Sequence, residues 1–483
     1  MIPAYHPTRF VIMRRTKIIC TIGPASASER VIQGMVRAGM DVARLNFSHG
    51  DYGFHKRLIR IIRRVAKRLH RTVAILQDLS GPKIRLGPIE GDRVALQPGQ
   101  KFVLTSRSIM GNRAIASVNV KHFPRYLKKE DPIVLGDGEI ELEAIRVRED
   151  EVVCKVLVGD ELGSHKGVHF PRGSLDLPSL TRKDRRDLSF GIEQGVDLIA
   201  LSFVRHRKDI IGLRREIKKR GAEIPVIAKI EKHEALAQID SILAEVDGIM
   251  VARGDLGLEV APETIPALQK TIIAKANLLG KPVITATQLL RSMVANRRPS
   301  RAEVTDIANA VLDGSDALML SEESAIGKYP IEAVKTMAKI AVETEKILKP
   351  RRDMEADLET VPEAICHAAI SLARDLNVKA FIVPTASGGT ARMIARYRPT
   401  QPIIAISPKR ETVQSLCLVW GVYAFRVPSF QHTDAIIEAG LKKIREVGAA
   451  RRGDLVVITA GLPLHRRGTT NLITVRPMAL IRR

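Results

Sequence analysis

Cysteine is scarce in this chain and badly placed for pairing. Four residues, Cys20, Cys154, Cys366 and Cys417, lie far apart with no CxxC among them, which argues against a disulfide framework or a thiolate zinc site and for a reducing compartment. Aromatic residues make up only 4% of 483 residues, with one Trp, too few for base-stacking platforms. No apolar run approaches the roughly 20 residues that span a bilayer. The first residues, "MIPAYHPTRFVIMRR", are basic but lack an apolar signal core, so a cytoplasmic protein is expected, with a short transit-type leader as the lesser alternative. No GxxxxGK[ST] motif occurs, which argues against a P-loop nucleotide site.

Acidic residues are also under-represented. Lys and Arg number 77 against 53 Asp and Glu, a net charge of +24. Such an excess suits nucleic acid, an anionic membrane face or phosphorylated substrates. The cations are spread along segments such as "HKRLIRIIRRVAKRLHR" and "LRREIKKR", where solvated helix faces account for them. The expectation is therefore no nucleic-acid and no membrane partner.

What the chain has in abundance is alternation of short β-branched runs with longer amphipathic ones. At this length two or three domains are expected. Up to about residue 345 the strand candidates are "TKIICTIG", "DVARLNFSH", "VAILQDLS", "DLIALSFV", "PVIAKIE", "GIMVARGD", "PVITATQ" and "DALMLSEES". Helix-like segments separate them, several ending in Gly, the usual stop before the chain re-enters a sheet. Eight such units favour a closed (β/α)8 TIM barrel, from residues 1–85 and 171–350, over an open sheet. Residues 86–170 break the rhythm with Gly-Asp turns and alternating runs such as "EIELEAIRV" and "EVVCKVLV", read as an inserted all-β lid domain. Residues 355–483 read as a separate C-terminal three-layer α/β domain.

The polar residues fall where the barrel strands end, at the mouth where such folds assemble their sites. The second strand supplies Arg44, Asn46 and Ser48 at i, i+2 and i+4, expected on one side. The third ends in Asp78 and Ser80, the fifth in Lys229 and Glu231, the sixth in Arg253 and Asp255, the seventh in Thr285 and Thr287, the eighth in Ser321 and Glu323. A single strand-end charge is more often a solvated cap or a barrel ion pair. Together they put carboxylates, cations and hydroxyls at one mouth. Glu231 and Asp255 can share a hard cation such as Mg²⁺, and Lys229 with Arg44 suits a phosphorylated anion, the set that phosphoryl transfer uses. The motif "VARGDLG" is thus a strand end rather than an exposed adhesion loop.

The stretches "TKIICTIGPAS", "ARLNFSHG", "QDLSGPKIR", "KGVHFP", "PVIAKIE", "MVARGDLGLE", "KPVITATQLL", "RPSRAEVTDIANAVLDGSDALMLSEESAIGKYP" and "GTTNLITV", in this order, resemble the pyruvate kinase family over nearly the whole length. The resemblance implies a barrel, lid and C-terminal α/β domain, usually as a homotetramer, transferring a phosphoryl group from phosphoenolpyruvate to ADP to give pyruvate and ATP. It implies Mg²⁺ (or Mn²⁺) on Glu231 and Asp255, and Lys229 with Arg44 on the moving phosphoryl group. Gly254 would offer its N–H to the substrate, and Thr287 would assist protonation of the enolate. Arg85, Lys166 and His49, next to Asn46 and Ser48, match nucleotide-side positions; Asp137 matches a lid carboxylate. Asn46, Ser48, Asp78 and the Leu79 carbonyl match a monovalent-cation site.

Departures from the family pattern matter as much. Leu79 stands where Thr is usual. Lys83 stands where potassium-requiring members have Glu, so an ammonium replaces the K⁺ charge and potassium-independent activity is expected. Glu322 replaces a Gly beside the cleft, and His169 replaces the commoner Asn. In the C-terminal domain "TASGGT", with Thr385, Ser387, Gly388 and Thr390, reads either as a phosphate cradle at a helix start or as simple capping. The resemblance implies an effector site for a sugar phosphate or nucleotide, with His465, Arg466 and Arg467 nearby. An Mg²⁺-dependent barrel lyase or aldolase acting on phosphoenolpyruvate-like acids would share Lys229, Glu231 and Asp255 and is the alternative.

Overall fold

A computed structural model describes residues 14–171, 177–351, 360–430, 432–461 and 468–478. Eight parallel strands close in sequence order into a barrel: β1 (Lys17–Thr21), β2 (Val42–Asn46), β3 (Ala74–Leu79), β4 (Leu198–Leu201), β5 (Val226–Ile230), β6 (Gly248–Ala252), β7 (Val283–Ala286) and β8 (Ala317–Leu320). All eight expected strands are present. The two-residue period of a strand sorts their side chains. Ile19, Val42, Leu76, Ile227, Met250, Ile284 and Met319 form one apolar cluster inside the barrel. Their neighbours Ile18, Ala43, Ile75, Ala228, Ile249 and Val283 belong to a second cluster under the helices.

Around the barrel run α1 (Glu29–Ala38), α2 (Tyr52–Arg68), α3 (Arg182–Glu193), α4 (Arg207–Lys219), α5 (His233–Ala237), α6 (Ile239–Glu245), the short α7 (Arg253–Leu256), α8 (Ile265–Leu278), α9 (Arg301–Asp313), α10 (Glu322–Ala325) and α11 (Pro330–Glu345). Their starts are written locally: Thr181 with Asp184, and Ser300 with Glu303, form reciprocal capping boxes. The segment "EALAQIDSILAEV" is two helices, because the backbone leaves helical geometry at Gln238.

Residues between β3 and β4 build a six-stranded sheet and a two-stranded one, with a core of their own around Phe102, Phe123 and Phe170. The alternating runs become strands Ile140–Val147 and Glu151–Val158, whose inward residues Leu142, Ala144, Cys154 and Val156 are fully buried. The C-terminal block holds α12 (Val361–Asp375), β9 (Ala380–Pro384), α13 (Gly389–Ala395), β10 (Ile403–Ser407), α14 (Arg410–Ser415), β11 (Val422–Arg426), α15 (Thr433–Glu446), β12 (Leu455–Gly461) and β13 (Thr470–Pro477). Its sheet order is β11-β10-β9-β12-β13, with only the last pair antiparallel.

This block is locked to the N-terminal end of the barrel. Cys417 and Leu418 pack against the lowest interior layer. Arg398 lies buried against Asp316 at 2.9 Å, with Asn277 and the Gly314 carbonyl as further acceptors. Lys17 Nζ donates to the Val422 carbonyl at 2.6 Å and sits over the Tyr423 ring. Among the described residues no helix is long and apolar enough to cross a membrane.

Candidate active site

The strand parity that buries Val42, Leu76 and Ile227 inside the barrel also turns Arg44, Asp78 and Lys229 inward, two residues further along. A layer of charge therefore caps the apolar interior at the C-terminal mouth. Arg44 Nε and Nη2 both meet Asp78 Oδ2 at 2.7 Å, and Nη1 donates to Thr21 Oγ1. Lys229 Nζ lies 2.8 Å from Glu231 Oε1, 3.5 Å from Asp78 Oδ1 and 2.9 Å from Ser202 Oγ. Burial works to push the Lys229 ammonium down, but the Asp78 and Glu231 carboxylates outweigh it and hold its pKa above the ordinary lysine value. Asp78 is held low by Lys229 and Arg44 against the opposing effect of burial.

Glu231 is almost fully buried, and its Oε2 accepts the Phe203 N–H at 2.8 Å. Burial raises its pKa, and the neighbouring Asp255 charge adds to that rise while Lys229 offsets part of it. Asp255 has no side-chain partner among the described residues. Two carboxylates near enough for their charges to repel, one of them without a side-chain partner, have the donor chemistry of a hard divalent cation.

Alternation does not carry through to every expected residue. β2 stops at Asn46, and Ser48 lies in the following turn with its N–H on Asn46 Oδ1 at 3.1 Å. β6 stops at Ala252, and Asp255 is presented by the turn α7 rather than by the strand. Thr285 faces outward to Ser315 at 2.7 Å and is absent from the mouth. Thr287 follows β7 in a left-handed conformation, φ 71°. Glu323 is structural too, its carboxylate accepting the N–H groups of Leu290 and Ser321. Glu322 is not an unbalanced charge, because it pairs with Arg291.

At the opening of α7 the Gly254 N–H, at the start of a helical turn with no intrahelical acceptor, donates to Thr287 Oγ1 at 2.8 Å. The same hydroxyl donates to the Ala286 carbonyl. Arg253 fixes the assembly by a two-pronged contact with Asp306 at 2.7 Å and a bond to the Thr287 carbonyl. Asp306 and Ser202 were not singled out in the sequence. Ser202 was visible as the hydroxyl closing the fourth apolar run, whereas Asp306 sits mid-helix with no signal at all.

Of the monovalent-cation set, the Leu79 carbonyl accepts Ser202 Oγ at 2.7 Å, and Asp78 is engaged as described. On the lid side, Arg85 and Lys166 come together on the two chain segments joining the lid to the barrel, where Arg85 pairs with Gly167 in an antiparallel bridge. Arg85 Nη1 donates to the His165 carbonyl, and Lys166 Nζ is 3.8 Å from Glu139. Asp137 lies in the same turn, its N–H on Glu139 Oε2. His49 is near enough to Arg85 and Lys83 for their charges, after burial, to lower its pKa. Lys83 and His169 line a small cleft between lid and barrel with Phe203 and Lys232.

In the C-terminal domain a cavity of about 110 Å³ is lined by Thr385, Ser387, Thr390, Phe430 and Gly461. Gly388, φ 85°, allows the turn into α13. Thr385 Oγ1 caps the Gly388 N–H, and Thr390 Oγ1 pairs with Thr470. Half of the expected cradle thus serves the fold, leaving Ser387 Oγ open to the cavity. His465, Arg466 and Arg467 lie outside the described residues.

The family model described as pyruvate kinase, barrel domain, matches residues 13–334, and that described as pyruvate kinase, alpha/beta domain, matches 363–476. The chain is 46% identical to a pyruvate kinase of Thermotoga maritima, covering 96% of this chain and 99% of the relative. It is 44% identical to a pyruvate kinase of Thermococcus litoralis, covering 95% and 98%. Among solved structures, a pyruvate kinase from Cryptosporidium parvum superposes with a TM-score of 0.92 at 38% identity, covering 96% of each chain.

Proposed function

The chain belongs to the pyruvate kinase family, and from that premise we propose how its own residues carry the transfer from phosphoenolpyruvate to ADP. The family requires a divalent cation, and Glu231 with Asp255 fit it: two carboxylates, one buried and one without a partner, whose mutual repulsion a cation relieves. When bound, the ion neutralises substrate oxygens. Lys229 stays protonated at the mouth and offers its ammonium to the phosphoryl group as charge develops, with Arg44 beside it. Thr287 holds its hydroxyl where proton delivery to the enolate carbon is needed, through a water. Because that hydroxyl now accepts the Gly254 N–H, substrate binding exchanges this bond for one to the substrate.

Arg85, Lys166 and His49 receive the nucleotide between the barrel and the lid segment 86–170. The Mg²⁺-dependent lyase alternative has no use for these cations, and the comparisons do not favour it. The engagement of Asp78 by Arg44 and Lys229, and of the Leu79 carbonyl by Ser202, supports activity without K⁺, with Lys83 supplying charge nearby. Ser387 and the adjoining cavity support an effector phosphate site for a sugar phosphate or nucleotide. A homotetramer and a cytoplasmic location complete the proposal.

The observation carrying the reading is the buried Lys229–Glu231–Asp78 cluster at the mouth. The test is pyruvate release from phosphoenolpyruvate and Mg²⁺ with and without ADP. Strict ADP dependence is expected; release at equal rate without ADP supports the lyase and defeats the proposal.

A further inference from the structure

Read along the chain, the basic residues look dispersed; closing the barrel gathers them. α2 has seven basic and no acidic residues, α3 four and three, and α4 six and two. That is a net twelve positive charges, half of the chain's +24. The three helices are neighbours because β2, β3, β4 and β5 are adjacent in the barrel. Tyr52 stacks on Phe190 and donates to Asp187, joining α2 to α3. Arg220 donates to Ser189 and so joins α3 to the end of α4.

Four of the five acids on these helices are consumed: Asp184 and Asp209 are buried in helix-start contacts, Asp187 takes Lys183, and Glu216 takes Lys219 and Arg220, while Glu193 stays exposed at the end of α3. Acids outside the three helices also pair with them: Glu29 with Arg64 and Arg68, Asp197 with Arg63, Glu245 with Arg207 and Asp247 with Arg214. Arg57, Arg60, Lys67, Arg186, Arg215 and Lys218 are exposed and have no acidic partner among the described residues. The remaining flank is different: α8, α9 and α11 together carry five basic and six acidic residues. A uniformly cationic surface would not produce that asymmetry.

Arg57, Arg60 and Lys67 lie at i, i+3 and i+10, a stripe of about 15 Å on a helix rising about 1.5 Å per residue. With helices about 10 Å apart, the face spans several phosphates of a double helix. The large apolar residues exposed on these helices are Tyr52, itself stacked, and Ile211, so the face lacks the apolar anchors of a membrane-lying surface. Arginine dominates, and its planar fork matches phosphodiester oxygens. Among the described residues of these helices the exposed aromatic, Tyr52, is already stacked on Phe190, which leaves no free ring face there for unpaired bases.

We propose that the α2–α3–α4 face binds double-helical nucleic acid through its phosphate backbone, without reading sequence. Six phosphate contacts give a slope of log K against log salt of about −5, or a loss of roughly a thousandfold between 50 and 200 mM salt.

The test uses the full chain and a fluorescein-labelled DNA duplex of about 20 base pairs, followed by anisotropy across that salt range. The variant Arg57→Glu/Arg60→Glu/Lys67→Glu is compared with Lys379→Glu/Lys442→Glu/Arg452→Glu, an equal charge change on exposed positions of the C-terminal domain. Pyruvate kinase rates report folding in both. Expected are a loss of at least tenfold at 50 mM and a slope flattened by about 3 for the α2 variant, with the slope unchanged in the other. Absence of duplex binding at 50 mM, equal losses in both variants, or retention on anionic lipid vesicles without duplex binding would each overturn the proposal.

Discussion

His169 sets a limit on acid stability that a single substitution should lift. The residue closes the short lid strand Val168–His169 and is 8% exposed. Burial pushes its imidazole down to about 4, with Lys232 and Lys83 adding to the shift and Asp255 and Asp137 opposing it. In the unfolded chain the same ring titrates near about 6.5. The unfolded state therefore binds more protons across this interval, so stability falls as pH drops from about 6.5 to about 4 and loses nothing further below it. A gap of about 2.5 units at 1.36 kcal/mol each sets a ceiling on the order of 3 kcal/mol, of which about 2.5 has been lost at pH 4.5. His169→Asn keeps a polar side chain of similar reach and removes the titration. Urea unfolding of both proteins in metal-free buffer at pH 7.5 and pH 4.5 measures the difference. The wild type should lose about 2.5 kcal/mol more than the variant between the two pH values. Parallel losses, within about 0.5 kcal/mol, would refute the burial of a neutral imidazole.

Two further outcomes separate structure from chemistry. At Gly254 an added Cβ meets Thr287 Oγ1 at 3.4 Å, an ordinary contact, so Gly254→Ala should leave the thermal midpoint within a few degrees while raising KM for phosphoenolpyruvate; a collapse of stability with unchanged KM would show the glycine to be structural. With Asp78 and the Leu79 carbonyl already engaged, adding KCl at constant ionic strength should change the wild-type rate less than about twofold, and Lys83→Glu should create a K⁺ requirement; strong stimulation of the wild type by K⁺ would refute the role given to Lys83.

The barrel was legible because its strands are short, β-branched and bounded by Gly or polar residues, and because parity alone turns Arg44, Asp78 and Lys229 inward. The lid was legible from the alternation that buries Leu142, Cys154 and Val156. Legibility failed where local chemistry overrides alternation. The chain leaves the sheet at Asn46 and Ala252, so Ser48 and Asp255 are positioned by turns. Thr287 reaches the mouth through a left-handed residue rather than as the partner of Thr285. The clamp of Arg253 on Asp306 joins residues 53 apart, and no periodicity announces it. The basic face was hidden for the same reason: dispersion along the chain and adjacency in the barrel are different quantities.

Lys229 is the most direct point of attack, since three buried groups hold its charge at the mouth. Lys229→Met should reduce kcat for pyruvate formation with Mg²⁺ and ADP by about a thousandfold, the scale for removing a preorganised group from a transition state, while KM for phosphoenolpyruvate shifts far less. A variant retaining more than a tenth of the wild-type kcat would contradict the assignment of phosphoryl transfer to this cluster.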